Sequence, residues 1–137
     1  MQNFKLKNEG IAISLIALDK DPSTIIGEGK LVMLDGSDLA IEATAIATKL
    51  AYAPFGATMG DTTVLVVKEK DAVLIGKATQ VFAVSQKGLV CDLAISGSDQ
   101  LLDTANSAVQ VLKVEVDTTA GTVGKNTNIK FTIDSPL

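Results

Sequence analysis

The sequence has no histidine, no tryptophan and no arginine; all twelve basic residues are lysine. Without histidine, the usual proton shuttle near pH 7 and the commonest transition-metal ligand are both missing. A serine hydrolase triad is excluded for the same reason, and no flanking signature supports a Ser–Lys dyad. Without arginine there is no bidentate fork for phosphate or carboxylate. Aromatic residues are four Phe and one Tyr, too thin for a sugar platform or a base-stacking surface. The net charge is −4 and the pI about 4.7, the wrong sign for a nucleic-acid binder. Cys91 is the single cysteine, so no intrachain disulfide forms. In the run 89–93 it reads as a small buried hydrophobe rather than a nucleophile, since no histidine stands by as its base. The most apolar run, residues 10–18, falls far short of the roughly 20 residues that cross a bilayer. Glu9 before it, Asp19–Lys20–Asp21 after it and no small-residue cleavage pattern argue against a secretory signal.

What is present is a chain of 137 residues, for which one domain is the default. Such a domain buries roughly two-thirds of the surface its unfolded chain exposes, so it folds without a metal or disulfide. Residues 64–84 carry three short apolar runs, 64–67, 72–75 and 81–84. Each is rich in β-branched residues and bounded by charge or glycine, as strands of a compact sheet are. Further strands are expected at 11–18, 30–34, 62–67, 72–75, 108–117 and 129–133. A short edge strand is expected at 24–26. Residues 62–67 and 72–75 are expected to form a hairpin around Lys68–Glu69–Lys70–Asp71. Residues 78–85 and 88–94 are expected to form the next pair. The stripe Leu39, Ala43, Ile46, Leu50 favours a helix over 44–50, with 39–42 extended before it. One helical turn is expected within 101–107.

Two segments rhyme. The tripeptide Gly36–Ser37–Asp38 recurs as Gly97–Ser98–Asp99, 61 residues later, each after an apolar run. Gly60 and Gly121 keep the same offset. Turn-rich sequences repeat such tripeptides by chance; two related β units closing a barrel or sandwich are the other reading. The fold class expected is mainly β, a small barrel or sandwich of two related β units with at most one or two short helices. Residues 1–9 are set apart as an N-terminal arm and 10–137 as a single β-rich domain. The arm is either frayed or docks on a neighbouring subunit with Phe4 as its knob. In the loop 53–61, Phe55 and Met59 are apolar. Such residues are usually tucked under the loop and less often mark a contact surface.

Chemistry finds little support. Asp35, Asp38, Asp99 and Asp103 lie in turns, where acidic residues belong anyway. The glycine-rich stretches 27–29 and 121–125 lack the spacing and the strand–loop–helix setting of a phosphate loop. Calcium is the one chemically plausible ion, with oxygens from the loops 35–38 and 117–128, but no ligand spacing matches a known loop. No catalysis, metal or cofactor is expected.

From Gly29 to Ile133 the chain resembles the small β-rich decoration, or head cement, proteins of tailed-phage capsids. The residues that carry the likeness are GKLVMLDGSD at 29–38, EATAIAT at 42–48, the Gly60–Asp61 turn into VLVV, GKATQVFAV at 76–84, KGLVCDLA at 87–94, VLKVEVD at 111–117 and IKFTI at 129–133. The longer N-terminal segment departs from that pattern. The resemblance implies a non-enzymatic viral structural protein on the exterior of a bacteriophage virion, made in the host cytoplasm. It implies binding to the major capsid protein, homo-oligomers with a trimer favoured, and no nucleic acid or membrane partner. The contact residues expected on that basis are Phe4, Pro54, Phe55, Met59, Thr122 and Asn126. A binding module of another assembly, such as a fibre base, tail or adhesin domain, is the competing reading.

Overall fold

The structure is a computed structural model that describes residues 4–7, 13–79, 82–103, 111–115, 122–123 and 129–137. Its strands are β1 (Lys5–Lys7), β2 (Ile16–Asp19), β3 (Lys30–Leu34), β4 (Ala40–Glu42), β5 (Ala51–Ala53), β6 (Thr63–Val66), β7 (Val73–Gly76), β8 (Phe82–Ala83), β9 (Val90–Ser96), β10 (Asp99–Asp103), β11 (Leu112–Glu115), β12 (Thr122–Val123) and β13 (Ile129–Ile133). The one helical element among the described residues is a single 3₁₀ turn, Val84–Gln86. The chain is mainly β, as its short β-branched runs require.

The larger sheet runs β1-β7-β13-β11-β9-β10, antiparallel throughout. It bends round until its far edge meets the chain leaving β7. Leu102 N–H donates to Lys77 O and Thr79 N–H donates to Leu102 O, each at 2.9 Å. That closure occupies an edge of β10 that would otherwise stand open. The second layer is β4-β3-β5, extended by the mutual Tyr52–Val67 pair (3.0 and 2.7 Å) to β6 and then β2.

Alternation sorts the side chains. On β3, Leu31 faces the inner core and Val32 the outer cluster; on β5, Tyr52 faces in while Ala51 and Ala53 face out. The inner core lies between the layers and holds Leu74, Leu93, Leu112, Ile129 and Phe131. The outer cluster is small, built from Ile26, Val64, Val66 and four alanines with Val32. The layers are joined by Gln100, whose side chain is buried. Its Oε1 accepts from Leu31 N–H (2.7 Å), and its Nε2 donates to Leu31 O (3.0 Å) and Ala43 O (3.1 Å). A side-chain amide thus satisfies backbone groups that a neighbouring strand would otherwise have to pair.

Several expectations need correction. No helix forms over 44–50. Only Ala47 N–H returns to Thr44 O (3.1 Å), and Ile46 of the supposed buried stripe is exposed. The threonines and the missing cap leave nothing to nucleate a helix, while Leu50 is claimed by the C-terminal segment, donating to Ser135 O and accepting from Leu137 N–H. β6 and β7 do not pair; they belong to different layers, because Val67 is already engaged by Tyr52. Among the described residues the 78–85 and 88–94 segments do not pair either. β8 pairs with β12, and β9 with β10 and β11. Leu101–Leu102–Asp103 are strand, not a helical turn, because Gln100 and Leu102 alternate inward.

Both Gly–Ser–Asp tripeptides sit at hairpin turns, β3–β4 and β9–β10. The first loop holds three residues, with Asp38 at φ 61°, between Asp35 and Leu39. The second holds two, Gly97 and Ser98, with Gly97 at φ 63°. A repeat offset of 61 would set Ile95 opposite Leu101; it lies opposite Gln100 instead. That one-residue slip is what turns Gln100 inward. Gly121 lies outside the described residues.

Candidate functional site: an apolar rim

β2 and β6 continue past their ends as one ribbon. Lys20 N–H donates to Thr62 O (2.8 Å), Gly60 N–H to Pro22 O (2.7 Å), and Ile26 and Ala57 exchange bonds of 2.9 and 2.8 Å. The stretch 20–28 therefore runs beside 54–62. At this rim Phe55 is 66% exposed, Met59 64% and Ile25 59%. Pro54 is half-buried beside them.

The rim is built by short polar side chains. Asp21 Oδ1 accepts from Ser23 N–H (2.8 Å) and Ser23 Oγ (2.7 Å). Asp61 Oδ2 accepts from Thr58 N–H (2.8 Å) and Thr58 Oγ1 (3.2 Å). These are side-chain turns that fix the backbone locally. The Asp21 carboxyl is held below its ordinary value, first by the Ser23 N–H and then by the Ser23 hydroxyl. Lys20 is buried, and its ammonium donates to Asp21 O (2.7 Å) and Asp61 O (3.1 Å), clamping both turns together. Gly56 stands at φ 64°, where a Cβ would lie 2.3 Å from Ile26 O. Only glycine fits this crossing, and it turns Phe55 away from the body.

Of the expected contact residues, Pro54, Phe55 and Met59 come together on this loop. Phe55 and Met59 are not tucked beneath it but stand out from it, on a loop whose backbone at Gly56 lies directly against the main chain of Ile26, Gly27 and Glu28. Phe4 is corrected: it is 2% exposed, inside its own chain's core, and not a knob offered to a neighbour. Its ring meets Phe131 edge-on at 4.9 Å and fills the space above Gly76, while its carbonyl accepts from Tyr52 Oη at 2.8 Å. Thr122 opens β12, opposite Ala83, away from the rim's ladder. Asn126 lies outside the described residues. The sequence reading missed Ile25, although a short edge strand expected at 24–26 placed it beside an open flank.

Elsewhere the chemistry is quiet. Cys91 is buried, and burial pushes its thiol up to about 12. Among the described residues no three Cys, Asp or Glu converge as a metal site. A cleft of about 240 Å³ lies between Asp35, Asp38, Lys49 and Leu137. The Asp35 carboxylate there is spent on Ser37 N–H (2.7 Å) and Leu39 N–H (3.1 Å). No described helix is long and apolar enough to cross a membrane. No protein-family model matches the sequence, and no curated protein matches it.

Proposed function

We propose that the chain is a structural protein of a tailed-phage virion that decorates the outside of the capsid by binding the major capsid protein, without catalysis. The observation that carries this reading is the rim: Ile25, Phe55 and Met59 are exposed apolar residues on a backbone locked by Asp21, Lys20, Gly56 and Asp61. Large apolar side chains held outward on a rigid loop suit docking, because little conformational freedom is lost on contact. The acidic net charge suits a partner that is protein rather than packaged DNA.

The test is a mass-spectrometric inventory of gradient-purified particles, followed by rebinding of purified protein to shells stripped of it. The expected result is a near-stoichiometric ratio to the major shell protein and loss of rebinding in a Phe55→Ser, Met59→Ser variant that stays folded. A few copies per particle would move the reading to a fibre-base or tail module. Absence from particles would overturn it.

A further inference from the structure

Apart from the separate β8–β12 pair, four strands form the ends of the two layers, and three are guarded. β1 carries Lys5 and Lys7. β10 is bonded by Lys77 and Thr79. β4 is three residues long and ends in Glu42, whose carboxylate accepts from Gly27 N–H at 2.8 Å. β2 is the exception: among the described residues its strand partner is β6 alone, and residues 14–18 (Ser-Leu-Ile-Ala-Leu) carry no charge. Leu15 and Ile16 are exposed there, and so is Leu65 opposite Ala17. Monomeric proteins ordinarily protect such an edge with lysine, proline or a bulge.

The alternation along β2 fixes which backbone groups are free. Ser14 N–H is taken by Glu69 Oε1 (2.6 Å) and Lys20 N–H by Thr62 O (2.8 Å), both on the β6 side. The N–H and C=O groups of Leu15, Ala17 and Asp19 therefore point away from β6. We infer that this edge pairs antiparallel with the same edge of a second copy, about a two-fold axis through Ala17. In that register Ala17 faces Ala17, Leu15 faces Asp19, and Ile16 faces Leu18 on the side of the outer cluster. No charge opposes a like charge, and the row is its own complement, which is what a two-fold contact demands. Such a contact closes at two copies, not the three that the capsid resemblance implies, and it does not rest on the capsid reading.

The contact is small beside the roughly 800 Å² per partner of a standard interface, so dissociation on the order of 100 µM is expected. Each copy carries −4, so added salt is expected to strengthen association. The experiment is sedimentation equilibrium on the full chain from about 10 µM to about 1 mM, a range spanning that constant. Wild type is expected to rise from near the monomer mass to roughly 1.8 times the monomer mass across the range. Ala17→Lys and Ala17→Glu each set like charges opposite one another across the axis, at an exposed position, and are expected to stay monomeric with unchanged circular dichroism. Their equimolar mixture is expected to recover the concentration-dependent rise in mass, because Lys then faces Glu. Wild type that remains monomeric, single variants that still associate, or a mixture that fails to pair would each overturn the inference.

Discussion

Phe4 and Phe55 are comparable in chemistry and opposite in fate. Each sits on a short segment, and each lies next to a glycine-dependent crossing. Phe4 packs over Gly76 against Phe131, and its segment is held by Tyr52 Oη and by the Phe4 N–H bond to Gly29 O (3.0 Å). Phe55 stands exposed beside Gly56, where the loop's backbone presses on the main chain of residues 26–28. The difference teaches that the destination of an aromatic side chain was decided by small residues elsewhere. A missing Cβ at Gly76 makes a seat for one ring, and a positive φ at Gly56 denies a seat to the other.

The largest effect that tests this contrast is expected from Phe4→Ala. Emptying the seat over Gly76 should cost about 3–5 kcal/mol, read as a lower denaturation midpoint. The same truncation at Phe55 should fall within about 0.5 kcal/mol of wild type. Equal losses at the two positions would break the comparison. Gly56→Ala comes next, at about 1–3 kcal/mol, since its Cβ meets the Ile26 carbonyl and the backbone must leave its positive φ. Restoration of stability by a compensating change at Phe55 would contradict that account, because the obstacle is main chain. The smallest effect is acid loosening of the rim. The Asp21 carboxyl is depressed below 3.8, so its contribution is present above that pH and is lost as pH falls through the native value. The Ser23 amide shift should titrate with a midpoint below 3.8, while the ring signals of Phe4 and Phe131 stay fixed. A midpoint at or above 3.8 would show that the Asp21–Ser23 turn is not formed.

What was legible in the sequence was local. β3, β6 and β13 were read close to their true bounds, because apolar β-branched runs between turn residues leave few alternatives. The Asp35–Gly36 turn was legible for the same reason. The partner of each strand was not. Val67 is spoken for by Tyr52, fifteen residues earlier, and no local pattern announces that bond. The stripe from Leu39 to Leu50 misled because it counts apolar spacing and ignores Ser135 and Leu137, which hold Leu50 extended. At the rim, Phe55 and Met59 were visible as apolar residues on a loop, but their exposure depends on how closely that loop's backbone lies against residues 26–28, a distant pairing. Phe4 was misplaced because its seat is the absent side chain of Gly76, seventy-two residues away.

The buried amide of Gln100 has one more consequence. It bonds the β9–β10 hairpin to Leu31 and Ala43 across the two layers, and the Lys30 ammonium donates to Ser98 O at the tip of the same hairpin. Sliding one layer over the other strands the Leu31 and Ala43 main-chain groups in an apolar interior, so the opening of either layer carries a penalty set by the other. The two layers are therefore expected to melt together, read as coincident transitions by far-UV circular dichroism and by Tyr52 fluorescence.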